Sequence, residues 1–338
     1  MSKNNLNVAV IGCSEMGKYH MRGVVNIEGA NLYAICDNAR DDRLAKCKEE
    51  FNVPVAVRDY RELVCDESVD AAVIVTPDKL HLEMTEAFLR AGKDVLCEKP
   101  MALTVEECVE MRRVEKETGR RLMIGQVCRY TPAFVMAKEM VASGRIGELY
   151  FVESEYAHNY RESARGYDDW RVCPEREGFI GGGCHAVDLL RWIAGDPTEV
   201  YAHANHKCLT DWPVNDCTIA IYKFPDNVMG KVFVSIGCRR DYTMRSVFYG
   251  TKGTIICDNT SPTITLYEGE DYATPKTLPV EINNHNVTAE IDAFITSLID
   301  GKDILVGSVE GANTVTVCCA TVESARIGKP VDIVYPKI

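Results

Sequence analysis

Short apolar runs alternate with helix-length segments over the first third of the chain. The runs are residues 7–11, 32–36, 54–57, 69–75 and 94–97. Strands that are separated by helices need right-handed crossovers, which place the strands side by side in a parallel sheet. We therefore predict an α/β fold whose first domain, residues 1–122, is a doubly wound parallel sheet of the Rossmann type.

A glycine turn follows the first apolar run. Gly12-Cys13-Ser14-Glu15-Met16-Gly17 matches the G-x-G-x-x-G fingerprint, except that Ser14 stands at the second glycine. In the fingerprint, the glycines allow a tight turn and let backbone approach a pyrophosphate at a helix N-terminus. The Ser14 hydroxyl either donates to a phosphate oxygen or its Cβ pushes the dinucleotide outward. The predicted cofactor-binding residues here are Gly12, Ser14, Glu15, Met16 and Gly17.

Asp37 ends the second apolar run, at the spacing after Gly17 that a dinucleotide-binding domain requires. A carboxylate at this position accepts hydrogen bonds from the adenosine ribose and repels a 2′-phosphate, which favours NAD over NADP. The neighbouring Arg40 and Arg43 weaken this preference and leave NADP open. The alternative is that Asp37 is only a turn residue.

Glu98-Lys99-Pro100 follows the last of the five apolar runs. Pro100 disfavours helical geometry at Lys99, so the strand should stay extended to its end. The Lys99 ammonium is then presented at the carboxyl edge of the sheet, where ligands bind in open α/β sheets. We predict that Lys99 performs proton chemistry, and the alternative is a solvated surface charge.

Three residues near the fourth apolar run add to the predicted cofactor site. Thr76 and Pro77 end that run, and His81 lies on the helix that follows. His81 is thereby expected near the cofactor, although a single histidine on a helix also serves as a packing residue.

The chain changes character after residue 122. Strand-like segments follow one another with turn signals between them, at residues 149–157, 199–206, 217–224, 228–236, 245–249, 254–257 and 263–267. This pattern predicts a large, mostly antiparallel open sheet in a second α/β domain, residues 123–338, with helices over one face. We expect a second copy of the protein to cover the other face, giving a homodimer or homotetramer.

A glycine-rich segment, residues 178–183, leads into a helix that begins near His185. The glycines would let backbone approach a ligand closely. His185 and Asp188 are three residues apart and therefore share a face of the helix. His185 is predicted to exchange a proton, and the alternative is that the two residues form a structural pair. Arg129, His158, Asn159, Tyr160 and Trp170 are weaker candidates for a substrate pocket.

Composition excludes several classes of function. The 338 residues carry a formal charge of −12, which opposes nonspecific binding to nucleic acid or to an anionic membrane. No apolar run is long enough to span a bilayer and no cationic leader is present, so we expect a soluble, cytoplasmic protein. Fifteen cysteines are scattered without a Cys-x-x-Cys pair, which predicts no metal site.

These motifs together resemble those of the Gfo/Idh/MocA oxidoreductases. The resemblance covers nearly the whole chain and includes Ala91-Gly92-Lys93, Arg129-Tyr130-x-Pro132, Trp170-Arg171 and Glu323-Ser324-Ala325-x-x-Gly328. Its specific part is Glu98-Lys99-Pro100. The resemblance implies an NAD(P)-binding Rossmann domain, an open antiparallel sheet in the second domain, and oxidation or reduction of a carbohydrate or cyclitol carbon.

The resemblance also implies roles for individual residues. Lys99 would contact the nicotinamide ribose and the reacting hydroxyl, with Glu98 beside it, and His185 would assist proton transfer. Asp188 matches a position that lines the substrate pocket. Many members carry an aspartate four residues before the histidine, where this chain has Gly181. Either Lys99 and His185 move the proton alone, or Asp188 shares the task.

Three functions follow from this pattern. The first is an NAD-dependent dehydrogenase that transfers a hydride between the nicotinamide and a secondary alcohol or ketone of a sugar, sugar derivative or cyclitol. The second is a redox-neutral glycosidase that returns the hydride to a tightly held NAD, which the loss of the aspartate at Gly181 leaves open. The third is a noncatalytic NAD-sensing regulator, against which Lys99 and His185 argue.

Overall fold

The computed structural model describes residues 5–163, 170–269 and 274–337. The chain forms two compact units. The first unit contains the residues up to Val127 together with Asn286–Ala312, and the second contains Cys128–His285 and Asn313–Pro336. This division differs from the predicted boundary at residue 122, because a strand continues past that residue and because a helix near the C-terminus returns to the first unit.

The first unit is built on a sheet of six parallel strands in the order β3-β2-β1-β4-β5-β6. Its strands are Leu6–Ile11 (β1), Ala30–Cys36 (β2), Val55–Val57 (β3), Ala71–Ile74 (β4), Asp94–Glu98 (β5) and Leu122–Gly125 (β6). The helices between them are Glu15–Val25 (α1), Asp41–Glu50 (α2), Tyr60–Cys65 (α3), His81–Arg90 (α4) and Val105–Thr118 (α5). The predicted doubly wound parallel sheet is confirmed.

Burial explains why these runs form a parallel sheet. Val8, Val10, Val73 and Leu96 have no exposed surface, as expected for strands that helices cover on both faces. The strand order reverses between β1 and β4, and in such sheets the ligand crevice lies beyond the carboxyl ends of those two strands. The sheet therefore places its ligand edge next to the glycine turn.

Local signals fix the helix ends in the first unit. Thr104 and Glu107 form a reciprocal capping box at the start of α5, and Gly119 ends that helix in the left-handed conformation.

Val287–Asp300 (α10) packs on α1, where a Cβ on Gly23 would lie 3.1 Å from Cγ1 of Ile291. Ser308–Ile327 (α11) begins in the first unit and continues into the second.

The second unit is built on a nine-stranded sheet in the order β14-β13-β12-β11-β7-β10-β9-β8-β15. Its strands are Leu149–Ala157 (β7), Glu199–Asn205 (β8), Cys217–Lys223 (β9), Met229–Ser235 (β10), Thr243–Gly250 (β11), Gly253–Asp258 (β12), Thr263–Glu268 (β13), Lys276–Pro279 (β14) and Val331–Asp332 (β15). Neighbouring strands are antiparallel except β7 and β10, so the predicted mostly antiparallel sheet is confirmed.

Helices cover one face of this sheet. They are Pro132–Ala142 (α6), Gly178–Gly181 (α8) and Cys184–Ala194 (α9), together with the later part of α11, whereas the short helix Tyr160–Ser163 (α7) follows β7. α9 packs against β7 and β10, and α6 packs against β12. None of the helices in the described residues is long and apolar enough to cross a membrane.

Candidate active site

The glycine turn at the end of β1 is shaped by close backbone contacts. Gly12 has φ +112°, and a Cβ there would lie 2.3 Å from the carbonyl oxygen of Val75. A Cβ on Gly17 would lie 1.9 Å from the carbonyl oxygen of Gly12. A side chain at Gly12 would therefore push apart the ends of β1 and β4, where the switch in strand order lies, and one at Gly17 would push α1 away from the glycine turn.

Ser14 is the N-cap of α1. Its φ of −69° needs no glycine, and its Oγ accepts a hydrogen bond from the backbone N–H of Gly17 at 3.3 Å. This contact explains how a serine is accommodated at the second glycine position, and the hydroxyl proton is still able to donate to a phosphate. Glu15 and Met16 begin the helix, with Glu15 exposed and Met16 half-buried.

Asp37 is held by hydrogen bonds from several directions. It is 4% exposed, and its carboxylate accepts from the backbone N–H groups of Cys13 at 2.8 Å, Ala39 at 2.9 Å and Arg40 at 3.3 Å. Arg43 pairs with it at 2.6 Å. Burial alone would raise its pKa, but Arg43 and the Cys13 amide outweigh burial and lower the pKa. The Arg43 charge is thus neutralised locally, which reduces its attraction for a 2′-phosphate.

His81 links two backbone segments at the ligand edge. It is fully buried, with Nδ1 2.9 Å from the carbonyl oxygen of Pro100 and Nε2 3.1 Å from that of Thr76. Burial disfavours its positive charge, but Cys97, Asp78 and the Pro100 carbonyl outweigh burial and raise the pKa to about 10. Both nitrogens are therefore engaged within the protein, and direct contact of His81 with the cofactor stays a prediction.

The two other predicted residues of this segment offer polar and apolar groups at the end of β4. Thr76 Oγ1 is buried and has no hydrogen-bond partner among the described residues. Pro77 precedes a short 3-10 turn, Asp78–Leu80. A buried hydroxyl beside the glycine cradle fits a polar ligand, so the residues present at this edge fit the predicted dinucleotide.

Lys99 lies at the carboxyl end of β5 and is half-buried. Its backbone N–H donates to Glu98 Oε2 at 3.0 Å, and the Lys99–Pro100 peptide bond is cis. β5 neighbours β4 in the sheet, so Lys99 is one strand away from the point where the strand order reverses. The structure thus presents Lys99 at the edge that the sequence predicted.

Glu98 belongs to a buried cluster behind Lys99. Its Oε1 lies 2.9 Å from Nε2 of His20 on α1. Glu290 on α10 completes the cluster, and one ligand atom from each of the three residues lies within 4.8 Å of the others. The set contains groups that a metal ion can use. Sequence reasoning missed His20 and Glu290, because neither carries a local signal and α10 is distant in the chain.

The glycine-rich segment of the second unit packs against the protein itself. Residues Gly178–Gly181 form the short helix α8. A Cβ on Gly182 would lie 2.5 Å from Cε1 of Tyr156 and 2.6 Å from the hydroxyl of Tyr160, and one on Gly178 would lie 2.7 Å from Ile236. These contacts assign the glycines to internal packing, whereas the sequence predicted room for a ligand.

Arg176 takes up the space beside Gly181. A Cβ on Gly181 would lie 2.2 Å from Nη1 of Arg176, which is 4% exposed. The Arg176 guanidinium lies over the rings of Trp170 at 4.8 Å and Tyr160 at 5.9 Å. A cation therefore borders Gly181, where the family resemblance implies an aspartate, and two of the predicted substrate residues contact that cation.

His185 lies at the start of α9 and is 2% exposed. Its Nδ1 is 3.4 Å from Sγ of Cys128. Its ring stacks on Tyr156, with centroids 5.9 Å apart and planes 24° apart, and lies 5.9 Å from the ring of His285. His185 is thus surrounded by groups that exchange or accept protons.

A network of phenols and imidazoles surrounds His185. The Tyr156 hydroxyl lies 3.0 Å from Nδ1 of His158 and 3.3 Å from the hydroxyl of Tyr160. The Tyr242 hydroxyl lies 3.1 Å from Nε2 of His285. Burial raises the pKa of Tyr156 and of Tyr242 well above the ordinary value. Both phenols therefore keep their protons at neutral pH and can donate hydrogen bonds.

Asp188 and Arg129 contact each other rather than open space. Asp188 has no exposed surface and Arg129 is 3% exposed. Asp188 also accepts a hydrogen bond from the Thr314 hydroxyl at 3.0 Å. This geometry fits the structural pair that the sequence left as an alternative for Asp188, although with Arg129 as the partner. Direct contact of either residue with substrate stays a prediction.

Sequence reasoning missed Tyr156, Tyr242 and His285. Tyr156 lies on β7 two positions before His158, which directly follows the strand, so alternation along the extended chain could have identified it. Tyr242 precedes β11, which pairs with β7, and His285 precedes α10. No local pattern marks these two residues, because sheet pairing and a long connection bring them together.

Comparison with known proteins identifies both units. Residues 6–126 match the oxidoreductase family with an NAD-binding Rossmann fold, and residues 134–256 match the GFO/IDH/MocA C-terminal domain. Inositol 2-dehydrogenase 2 of Saccharopolyspora erythraea is 30% identical over 268 residues, which are 78% of this chain and 76% of that protein. Myo-inositol 2-dehydrogenase of Thermotoga maritima is 27% identical over 314 residues, 90% of this chain and 92% of that protein.

Solved structures agree on the fold. Levoglucosan dehydrogenase in complex with NADH matches with a TM-score of 0.91 at 23% identity, over 99% of this chain and 100% of the other. The predicted family is confirmed, as are the NAD cofactor and the assignment to the oxidoreductases. The chain belongs to the Gfo/Idh/MocA family of NAD-binding oxidoreductases.

Proposed function

We propose that this protein oxidises a secondary hydroxyl of a sugar, sugar derivative or cyclitol with NAD, and catalyses the reverse reduction. The observation that carries the proposal is the position of Lys99 at the carboxyl end of β5, one strand from the switch point of the NAD-binding sheet. The names of the relatives, inositol 2-dehydrogenase and myo-inositol 2-dehydrogenase, support a polyol substrate.

The reaction moves one hydride and one proton. NAD, which the glycine turn and Asp37 would hold, would supply the acceptor for the hydride that leaves the carbinol carbon. The hydroxyl proton passes to Lys99 or His185, the two residues that the family resemblance pairs. A correctly placed acid or base of this kind contributes about 10²- to 10⁴-fold to the rate.

The surroundings of each residue support its assigned role. Lys99 follows Glu98, which accepts its backbone N–H and so holds the strand end. His185 is stacked on Tyr156 and lies beside Cys128, contacts that restrict the orientation of its ring. The phenols of Tyr156 and Tyr242 contact His158, Tyr160 and His285, so the second unit carries a polar network around His185 that supports recognition of a polyol.

Gly181 and Arg176 bear on which polyol is used. Beside Gly181, where the family resemblance implies an aspartate, this chain places the buried guanidinium of Arg176. This difference borders the predicted substrate residues Trp170 and Tyr160, so the substrate test includes sugar acids beside neutral sugars and inositols.

The test is a screen of sugars, inositols and sugar acids with NAD and with NADP, followed by NADH absorbance. We expect at least one polyol to give NADH with NAD. Product formation without net NADH, from enzyme purified with NAD bound, would support the redox-neutral glycosidase instead. NAD binding without any product from the whole panel would support the NAD-sensing regulator.

A further inference from the structure

The cluster of His20, Glu98 and Glu290 lies in the interior of the first unit. The residues come from α1, β5 and α10, and their exposures are 0%, 8% and 0%. The predicted chemistry of Lys99 does not use Glu290. A buried carboxyl group beside a second one needs a physical explanation, because two carboxylates this close in a dry interior repel each other strongly.

The hydrogen bonds of the two carboxyl groups are unequal. Glu98 has a partner on each oxygen: Oε1 contacts His20 at 2.9 Å and Oε2 accepts the Lys99 backbone N–H at 3.0 Å. Neither oxygen of Glu290 has a hydrogen-bond partner among the described residues. Hydrogen bonds to the charged form favour ionisation, so Glu98 is the better site for the negative charge.

We propose that Glu98 and Glu290 together carry one negative charge, with the proton held on Glu290. A neutral Glu290 removes the repulsion that would push Glu98 away from the Lys99 amide. The location of this proton does not depend on which reaction the protein catalyses. Its effect on turnover does rest on the proposed function.

Electrostatics agrees with this assignment. The titratable groups that face Glu290 are Glu98 and Lys99 from the end of β5 and His20 from α1. Burial, followed by the Glu98 charge, raises the pKa of Glu290 well above its ordinary value. Burial also disfavours charge on Glu98, but His20 and Lys99 outweigh it and lower the pKa of Glu98.

A metal ion is the other way to neutralise two carboxylates. A histidine that binds a metal usually donates its second ring N–H to an oxygen acceptor. In this cluster the other nitrogen of His20, Nδ1, is buried without a hydrogen-bond partner among the described residues. The contacts of His20 therefore fit a hydrogen bond to Glu98 better than metal ligation, and metal binding becomes an outcome of the test.

The experiment compares urea unfolding of the full-length wild type, Glu290→Gln and Glu106→Gln between pH 5 and pH 8. Glutamine imitates the protonated carboxyl group, and Glu106 is an exposed glutamate of the same unit. In the unfolded chain Glu290 loses its proton above about pH 4.3, while the folded protein keeps it. The wild type therefore loses stability as the pH rises, and the variant does not. The ratio of the folding constant of Glu290→Gln to that of the wild type should increase by up to about tenfold for each pH unit. The same ratio for Glu106→Gln should not change with pH.

Two results would overturn the proposal. The first is a Glu290→Gln ratio that is as flat with pH as that of Glu106→Gln. The second is an equimolar, tightly bound metal in the purified wild type that is lost in Glu290→Gln. If Glu290→Gln does not fold, infrared spectra of the wild type at pH 8 replace the unfolding test. The proposal requires a protonated carboxyl band, and its absence would contradict the proposal. None of these readouts needs a substrate, so failure of the proposed function would not be mistaken for failure of the shared proton.

Discussion

Arg129 donates two hydrogen bonds to Asp188, from Nε to Oδ2 at 2.7 Å and from Nη2 to Oδ1 at 2.8 Å. Both side chains are almost completely buried. Asp188 lies one turn after His185 on α9, and the pair therefore fixes the helix that carries the predicted proton-transfer residue. Replacing a buried ion pair by apolar residues of similar volume is often neutral for stability, whereas removing one partner is costly.

We predict that Arg129→Met or Asp188→Leu alone lowers the free energy of unfolding by about 3–5 kcal/mol, because each breaks the buried ion pair by removing one partner. The double variant should recover most of this loss. Urea unfolding of the four proteins measures the coupling. As a control, Arg90→Met breaks the exposed pair with Glu86 and should cause a much smaller loss. Additive losses in the double variant would contradict the prediction.

We predict that Lys99→Met keeps NAD affinity and lowers kcat by about 10²- to 10⁴-fold, the usual contribution of a positioned acid or base. NADH absorbance gives kcat, and fluorescence titration gives the affinity for NAD. Lys116→Met removes an exposed ammonium from α5 of the same unit and should leave both values unchanged. Near-wild-type turnover of Lys99→Met would remove Lys99 from the mechanism.

We predict that Asp37→Ser weakens NAD binding by about ten- to a hundredfold, since a charged hydrogen-bond acceptor contributes about 1.5–3 kcal/mol. The ratio of NAD to NADP affinity should fall as well, because Arg43 loses its partner and becomes available to a 2′-phosphate. Titrations with both cofactors measure this ratio. Asp42→Ser, at a half-exposed neighbour on α2, is the control. An unchanged ratio would show that Asp37 serves only the turn.

We propose that a second copy covers the outer face of the nine-stranded sheet. Ile221 is 56% exposed and pairs across the strands with Tyr201, and Ile219 is 44% exposed beside it on β9. Ile219→Glu with Ile221→Glu should therefore convert an oligomer into a monomer in gel filtration with light scattering. Val25→Glu, on an exposed position of α1, should not. A monomeric wild type at micromolar concentration would contradict the proposal.

The first sheet could be predicted because its signals are local. Apolar runs that are buried on both faces, the glycine turn and the Thr104 capping box each act within a few residues. The long helix α11 was not predicted, since its residues are rich in valine and threonine and show no apolar stripe. The predicted domain boundary at residue 122 falls within β6, because a strand of four residues is too short for its apolar pattern to be recognised as a sixth strand.

The positions of residues that directly follow a strand could be predicted from the sequence. The positions of residues that tertiary packing brings in from a distant part of the chain could not. Asp37 and Lys99 follow apolar runs, so their positions at the sheet edge follow from the strand pattern. Glu290 reaches the cluster behind Lys99 only because α10 packs on α1. The glycines near α8 were misinterpreted, because sequence alone does not tell whether Tyr156 or a ligand fills the space beside them.

The return of Asn286–Ala312 to the first unit has a practical consequence for dissecting the protein. A fragment that stops at Val127 lacks α10, so the apolar surface of α1 around Gly23 would face water and His20 would lose Glu290 as a neighbour. Isolating the nucleotide-binding part requires joining two distant stretches of chain with an artificial linker. A single protease cut between residues 127 and 286 would leave the two fragments held together by the packing of α10 on α1. The cut would become visible only in denaturing electrophoresis.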